Sequence, residues 1–142
     1  MLALTPLWSH QIELEAAPIS ASQTRAFVSR CLLEHHLSYL VDQVRLVASE
    51  LATNALVHAR TAFTVALSQP DGIVLLAVRD SSDGIVRKGV TEVMDTSGRG
   101  LDIVELVSLE WGIDHAKDGS KSVWASVPVA ARTELSATTL TR

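Results

Sequence analysis

The chain of 142 residues has one cysteine, Cys31. A single thiol excludes an intrachain disulfide and a cysteine-based zinc centre. Its neighbours Phe27, Val28, Leu32 and Leu33 mark it as a small core residue. Concentrated positive charge is also missing. Twelve Lys and Arg stand against sixteen Asp and Glu, giving a net charge of −4. No basic cluster stands out, which argues against nucleic acid as the principal partner, because phosphate binding needs such a cluster. No apolar run is long enough to span a bilayer. The N-terminus has no basic region followed by an apolar core, so no secretion signal is expected and the cytoplasm is the default address. No internal repeat is present.

What remains is a chain that is 47 % apolar and 20 % charged. That composition belongs to a globular domain with a core of ordinary size. Residues 11–16 alternate polar and apolar, which predicts a strand with one wet face. Pro18-Ile-Ser20 punctuates it, and Ser20 or Ser22 is positioned to cap a helix running to about residue 36. A second helix is expected over residues 39–59. Residues 61–68 and 73–79 read as strands joined by a tight turn at Pro70-Asp71-Gly72, a hairpin signal. The second of these strands is almost continuously apolar, as a central strand covered by helices should be. Residues 80–99 form a long, glycine-rich polar loop, of the kind that tends to be functional inside a compact domain. A helix over residues 101–109 and strands over 111–115 and 122–129 complete the pattern. The order β, α, α, β, β, α, β, β predicts an α+β fold. It is a two-layer sandwich with a mixed, mostly antiparallel sheet and helices on one face. The domain is expected over residues 11–129, with residues 1–10 and 130–142 as flexible termini.

The most informative segment is Glu50-Leu-Ala-Thr-Asn54-Ala-Leu-Val-His58. At about 100° per residue, Arg45, Ser49, Asp42, Arg60 and Thr53 form one polar arc. Glu50 and Asn54 fall instead among apolar positions. Leu46 and Val57 flank them on one side, and Val44, Val47, Leu51 and Ala55 on the other. An unpaired buried carboxylate is costly, so something must meet it. An amide oxygen is a hard ligand of the kind magnesium accepts. A carboxylate one turn away can polarise a hydroxyl for attack on a phosphoryl group. The competing reading is a pair of buried polar residues satisfied by the backbone or by each other.

Two further features join this pair. Asp80 ends an apolar strand beside small residues, where a carboxylate can accept a hydrogen bond from a base amino group; capping of a turn is the other reading. Gly98-Arg99-Gly100-Leu101 opens a helix. Its glycines allow close approach of the backbone, and its first-turn N–H groups attract phosphate. Each is weak alone; their order along the chain is the signal.

That order resembles the GHKL superfamily of ATP-binding domains, with the Bergerat fold, over about residues 11–129. Glu50-x-x-x-Asn54 looks like its N box, which implies Asn54 as the magnesium ligand and Glu50 as the base. Asp80 and Gly84 look like its first glycine box, which implies recognition of the adenine amino group by Asp80. The usual pattern there is Asp-x-Gly-x-Gly, and Ser82 replaces its first glycine. A serine disfavours positive φ, so a narrowed or rotated adenine pocket is expected. Gly98-Arg99-Gly100-Leu101 looks like the second glycine box, facing the phosphates. Residues 81–97 would be the ATP lid, with Arg87, Lys88 and Arg99 as its basic residues. Ser122, in the late hairpin, would approach the adenine. The phrases Ser49–Ala59, Gly98–Val104 and Trp111-Gly112 are closest to actinobacterial stand-alone relatives of anti-sigma-factor serine protein kinases. The resemblance implies ATP and Mg2+ as cofactors and phosphorylation of a STAS-domain anti-sigma-factor antagonist. It also implies binding of a sigma factor, and it suggests a homodimer. The altered glycine box motivates an alternative, a non-catalytic nucleotide-responsive module that sequesters such a partner.

Other residues read more plainly. His58 is expected to be a packed histidine that could line the pocket. His10, His35, His36 and His115 show no ligand spacing that predicts a metal centre. Trp111 and Trp124 are expected in the core or on a sheet face, and Trp8 at an edge or a dimer contact. Lys121 could approach a phosphate, although a hairpin-tip lysine is ordinarily solvated.

Overall fold

A computed structural model describes residues 5–58, 61–80, 104, 108 and 110–129. Strand β1 (Ser9–Leu14) leads into helix α1 (Ile19–Glu34). A 3-10 turn (Ser38–Leu40) then enters helix α2 (Val41–His58). Strands β2 (Phe63–Ser68) and β3 (Ile73–Asp80) form the expected hairpin. Strands β4 (Glu110–His115) and β5 (Lys121–Pro128) form a second one. The sheet order is β1-β2-β3-β5-β4, and every pairing among these strands is antiparallel. The parallel component allowed by a mixed sheet is therefore absent from the described strands. β5 inserts beside β3 and leaves β4 at the edge.

Strand side chains alternate between two environments. Phe63, Val65 and Leu67 of β2, Val74, Leu76 and Val78 of β3, and Val123, Ala125 and Val127 of β5 are buried on one face. Val28 and Leu32 of α1 and Val44, Val47, Ala48 and Leu51 of α2 close the same core, and Val104 is buried with them. The other face carries Trp124. Gly112 is its cross-strand partner, and a Cβ there would come within 2.8 Å of the Trp124 ring. The indole thus lies over a position that only glycine leaves open. Trp111 packs against the core from the opposite side of β4.

The start of α1 differs from the capping expected at Ser20 or Ser22. The helix begins at Ile19, with Pro18 at its boundary and no side-chain cap. Proline presets the helical φ, and the Ser20 and Ala21 amides donate to the Ala17 and Pro18 carbonyls at 2.9 and 3.3 Å in place of a serine cap. The Ser20 hydroxyl turns back to the Glu15 carbonyl instead. Strand β1 also starts at Ser9, ahead of residue 11, because Trp8 anchors its beginning. The Trp8 Nε1–H donates to Gln69 Oε1 at 2.7 Å, and the Leu7 and Gln69 amides donate to Gln69 and Trp8 carbonyls.

Candidate functional site

The apolar face of α2 is narrower than the helical wheel suggests. Its buried residues are Val44, Val47, Ala48, Leu51, Ala52 and Ala55. Leu46 and Val57 were expected inside the apolar arc, yet they are 40 % and 49 % exposed. Glu50 and Asn54 are consequently half-buried at the margin of the core rather than within it. The wheel erred because apolar residues on both sides of the pair made its arc look continuous. The sheet meets only one of those sides.

At this margin the fold leaves polar atoms unused. Asn54 Nδ2 and His58 Nε2 are buried, and neither has a hydrogen-bond partner among the described residues. A buried polar atom without a partner costs roughly 1–3 kcal/mol, so two such atoms one helical turn apart mark a place where a ligand is expected. The competing sequence reading, in which Glu50 and Asn54 satisfy each other or the backbone, leaves Asn54 Nδ2 without a partner.

The sheet supplies the facing groups. Asp80 closes β3 on the core face and is only 4 % exposed. Its cross-strand partner is Lys121, 8 % exposed on the same face of β5. Each has a polar or electrostatic partner within the protein. Lys121 also reaches His58 electrically. Burial first, and then the Lys121 charge, hold the His58 imidazole below its ordinary pKa of 6.5. Asp80 and Lys121 thus face each other at the ends of β3 and β5, the Lys121 charge reaches His58 at the end of α2, and Asn54 and Glu50 follow one and two turns back along that helix.

Lys121 departs most from the sequence expectation. It begins β5 on the inner face rather than standing solvated at a hairpin tip. The register offers the signal that could have found it. Val123, Ala125 and Val127 point inward, so the residue two before Val123 must do the same. By the same register Ser122 pairs with Arg79, on the opposite face of the sheet from Asp80. Gly84, Gly98, Arg99, Gly100 and Leu101 lie outside the described residues. A separate cleft of about 230 Å³ between α1 and α2 is lined by Arg25, Asp42, Arg45, Leu46 and Ser49 and contains none of the candidate site residues.

Comparison with known proteins adds the fold. No protein-family model and no curated protein sequence matches the chain. Among solved structures that match is the crystal structure of the RsbU and RsbW domains of Rv1364c from Mycobacterium tuberculosis. The TM-score is 0.62 at 22% sequence identity. The alignment covers 87% of this chain and 33% of that one, so the chain spans about a third of its neighbour's length. The fold is shared. The α+β sandwich predicted from the order of elements is the architecture the two structures have in common.

Proposed function

We propose that the chain is an ATP-binding regulatory protein of the anti-sigma-factor type. In this reading it is a serine protein kinase that phosphorylates a STAS-domain anti-sigma-factor antagonist. The observation that carries the reading is the buried Asn54 Nδ2, which has no hydrogen-bond partner among the described residues and lies one turn beyond Glu50 on α2. The oxygen of that carboxamide is the atom that would meet a magnesium ion. The shared fold with a structure containing an RsbW domain supports the partner class.

Asn54 would hold the magnesium ion, and Asp80 would accept from the base amino group. Magnesium supplies charge compensation to the phosphates, and ATP supplies the transferred phosphoryl group. Glu50 would orient the acceptor serine of the partner and take its hydroxyl proton on a carboxylate oxygen. The exposed Leu46 and Val57 give the partner's backbone an apolar rim beside Glu50. Gly98, Arg99, Gly100 and Leu101 remain the proposed phosphate-facing residues. A cytoplasmic location fits this partner class, and no helix among the described residues is long and apolar enough to cross a membrane.

A second reading draws on Lys121. A buried ammonium across from Asp80 stands where the family pattern would place the adenine edge, and Ser82 replaces the first glycine of that pattern's first glycine box. Both changes favour a non-catalytic module that sequesters its partner and responds weakly, or not at all, to adenine nucleotides. Incubation with labelled ATP and STAS-domain proteins separates the two. The kinase reading expects labelled serine with the wild type. With Glu50→Ala it expects nucleotide binding without transfer. Tight complex formation with no label in the wild type would establish the second reading in its place.

A further inference from the structure

At the opposite side of the helical layer, three potential ligands meet from separate parts of the chain. His10 lies in β1, and His35 caps the end of α1, twenty-five residues later. Their Nε2 atoms are 2.9 Å apart. Glu34 Oε1 stands 3.9 Å from the same His10 nitrogen. Ligand atoms of all three residues lie within 4.8 Å of one another. We propose that His10, His35 and Glu34 form a binding site for a divalent transition-metal ion of the zinc class.

The chemistry of the donors and their separations carry this assignment. Two imidazole nitrogens and one carboxylate oxygen make a typical three-ligand zinc set, with the fourth position left to water. At Zn–N distances of 2.0–2.1 Å, tetrahedral ligands are roughly 3.3 Å apart. The nitrogen pair must therefore open by about 0.4 Å, and Glu34 Oε1 must close by about 0.6 Å on His10 Nε2 and from within 4.8 Å on His35. In the metal-free pair one imidazole donates its Nε2–H to the other. On binding, that proton moves to Nδ1 through solvent, and both Nε2 lone pairs face the ion. No oxidation or reduction is involved.

The surrounding structure holds the rings in place. The Trp8 indole stacks on the His35 ring, with centroids 4.1 Å apart and planes 5° from parallel. Gln69 fixes the indole in turn. The backbone fixes His35 itself. His36 adopts a left-handed conformation with φ of 61°. The Leu37 amide returns to the Leu32 carbonyl at 2.8 Å, and the His36 amide to the Leu33 carbonyl at 3.2 Å. This is a Schellman end, closed by buried Leu32 and Leu37. His35 thus sits on a pinned helix terminus, while His10 sits on a hydrogen-bonded strand. The His10 and Glu34 side chains are 38% and 56% exposed, so an ion can enter from solvent. Bound there, it would tie the first strand to the end of α1. The site is independent of the nucleotide reading and lies apart from Asn54 and Asp80 in the chain.

Titration calorimetry with zinc chloride on the untagged, chelator-treated chain tests this. One equivalent should bind, and the melting temperature should rise with added zinc, because an ion that binds only the folded state stabilises it. His10→Ala and His35→Ala should each weaken binding at least about tenfold, and His36→Ala and His115→Ala should not. Glu34→Gln replaces an exposed side chain without touching the core, and it should weaken zinc binding while leaving the metal-free melting temperature unchanged. Substitution by Co2+ should give the intense visible absorption of a tetrahedral site. Absence of stoichiometric zinc binding by the wild type would overturn the proposal and leave a histidine–histidine hydrogen bond. Undiminished binding by both His10→Ala and Glu34→Gln would overturn it equally.

Discussion

Two neighbouring rows of residues cross the same face of the sheet, and they differ in kind. One row runs Ile12, Val65, Val78, Val123, Ile113 through five strands and is apolar throughout. The next, one pleat along, runs Leu14, Phe63, Asp80, Lys121, His115. Asp80 and Lys121 are nearly as buried as Val78 and Val123. The difference lies in what covers each row. Every residue of the first row belongs to or packs against the apolar core shared with α1 and α2, whereas the second sets the Lys121 charge against His58 at the end of α2, whose Nε2 has no partner among the described residues. Burial in the first row serves stability, and in the second it is the feature on which the proposed ligand site rests. A core that needed only stability would do at least as well with apolar residues at positions 80 and 121.

The largest test moves a charge across that boundary. Val78→Asp places a carboxylate one row into the apolar region, with no partner opposite it. It should cost at least about 3 kcal/mol of folding stability, measured by urea denaturation. A cost below about 1 kcal/mol would erase the distinction between the rows.

The next test removes the charges where they belong. Lys121→Met alone should destabilise by about 1–3 kcal/mol, because a buried carboxylate then loses its facing cation. The double variant Asp80→Val with Lys121→Met should recover most of that loss, a coupling of about 0.5–3 kcal/mol between adjacent groups. It should also abolish any nucleotide binding. Additive losses in the cycle would show that the two charges act independently.

The smallest effect is a pH dependence. His58 has a folded pKa below 6.5, so the unfolded chain takes up its proton first as acid is added. Its stabilising contribution is complete above that unfolded value and is lost as the pH falls toward the folded one. Melting temperatures at about pH 7.5 and about pH 5.5 should therefore differ less for His58→Gln than for the wild type. Equal differences would remove His58 from the buried polar cluster.

Much of the fold was legible because local pattern and tertiary environment agree. The apolar run Ile73–Val78 gave a central strand, the Pro70-Asp71-Gly72 turn gave the hairpin, and the periodicity around Leu51 gave α2. The serine cap failed because Pro18 supplies helical geometry without a side-chain hydrogen bond. In the site, Glu50, Asn54 and Asp80 stood out as polar residues in apolar surroundings. The turn-like residues beside Lys121 hid the strand register that puts it on the inner face, with Ser122 on the outer one. His10 and His35 gave no sequence signal at all. Their meeting depends on where the first strand lies against the end of α1, which no local spacing encodes.

The claim that the charged row and the end of α2 form a nucleotide pocket is tested most directly by thermal melts of the wild type and Asn54→Ala, with and without millimolar Mg-ATP. The account predicts that the nucleotide raises the wild-type melting temperature and that Asn54→Ala loses most of the rise, because a ligand of the folded state must stabilise it. No rise in the wild type, or an equal rise in the variant, would contradict it.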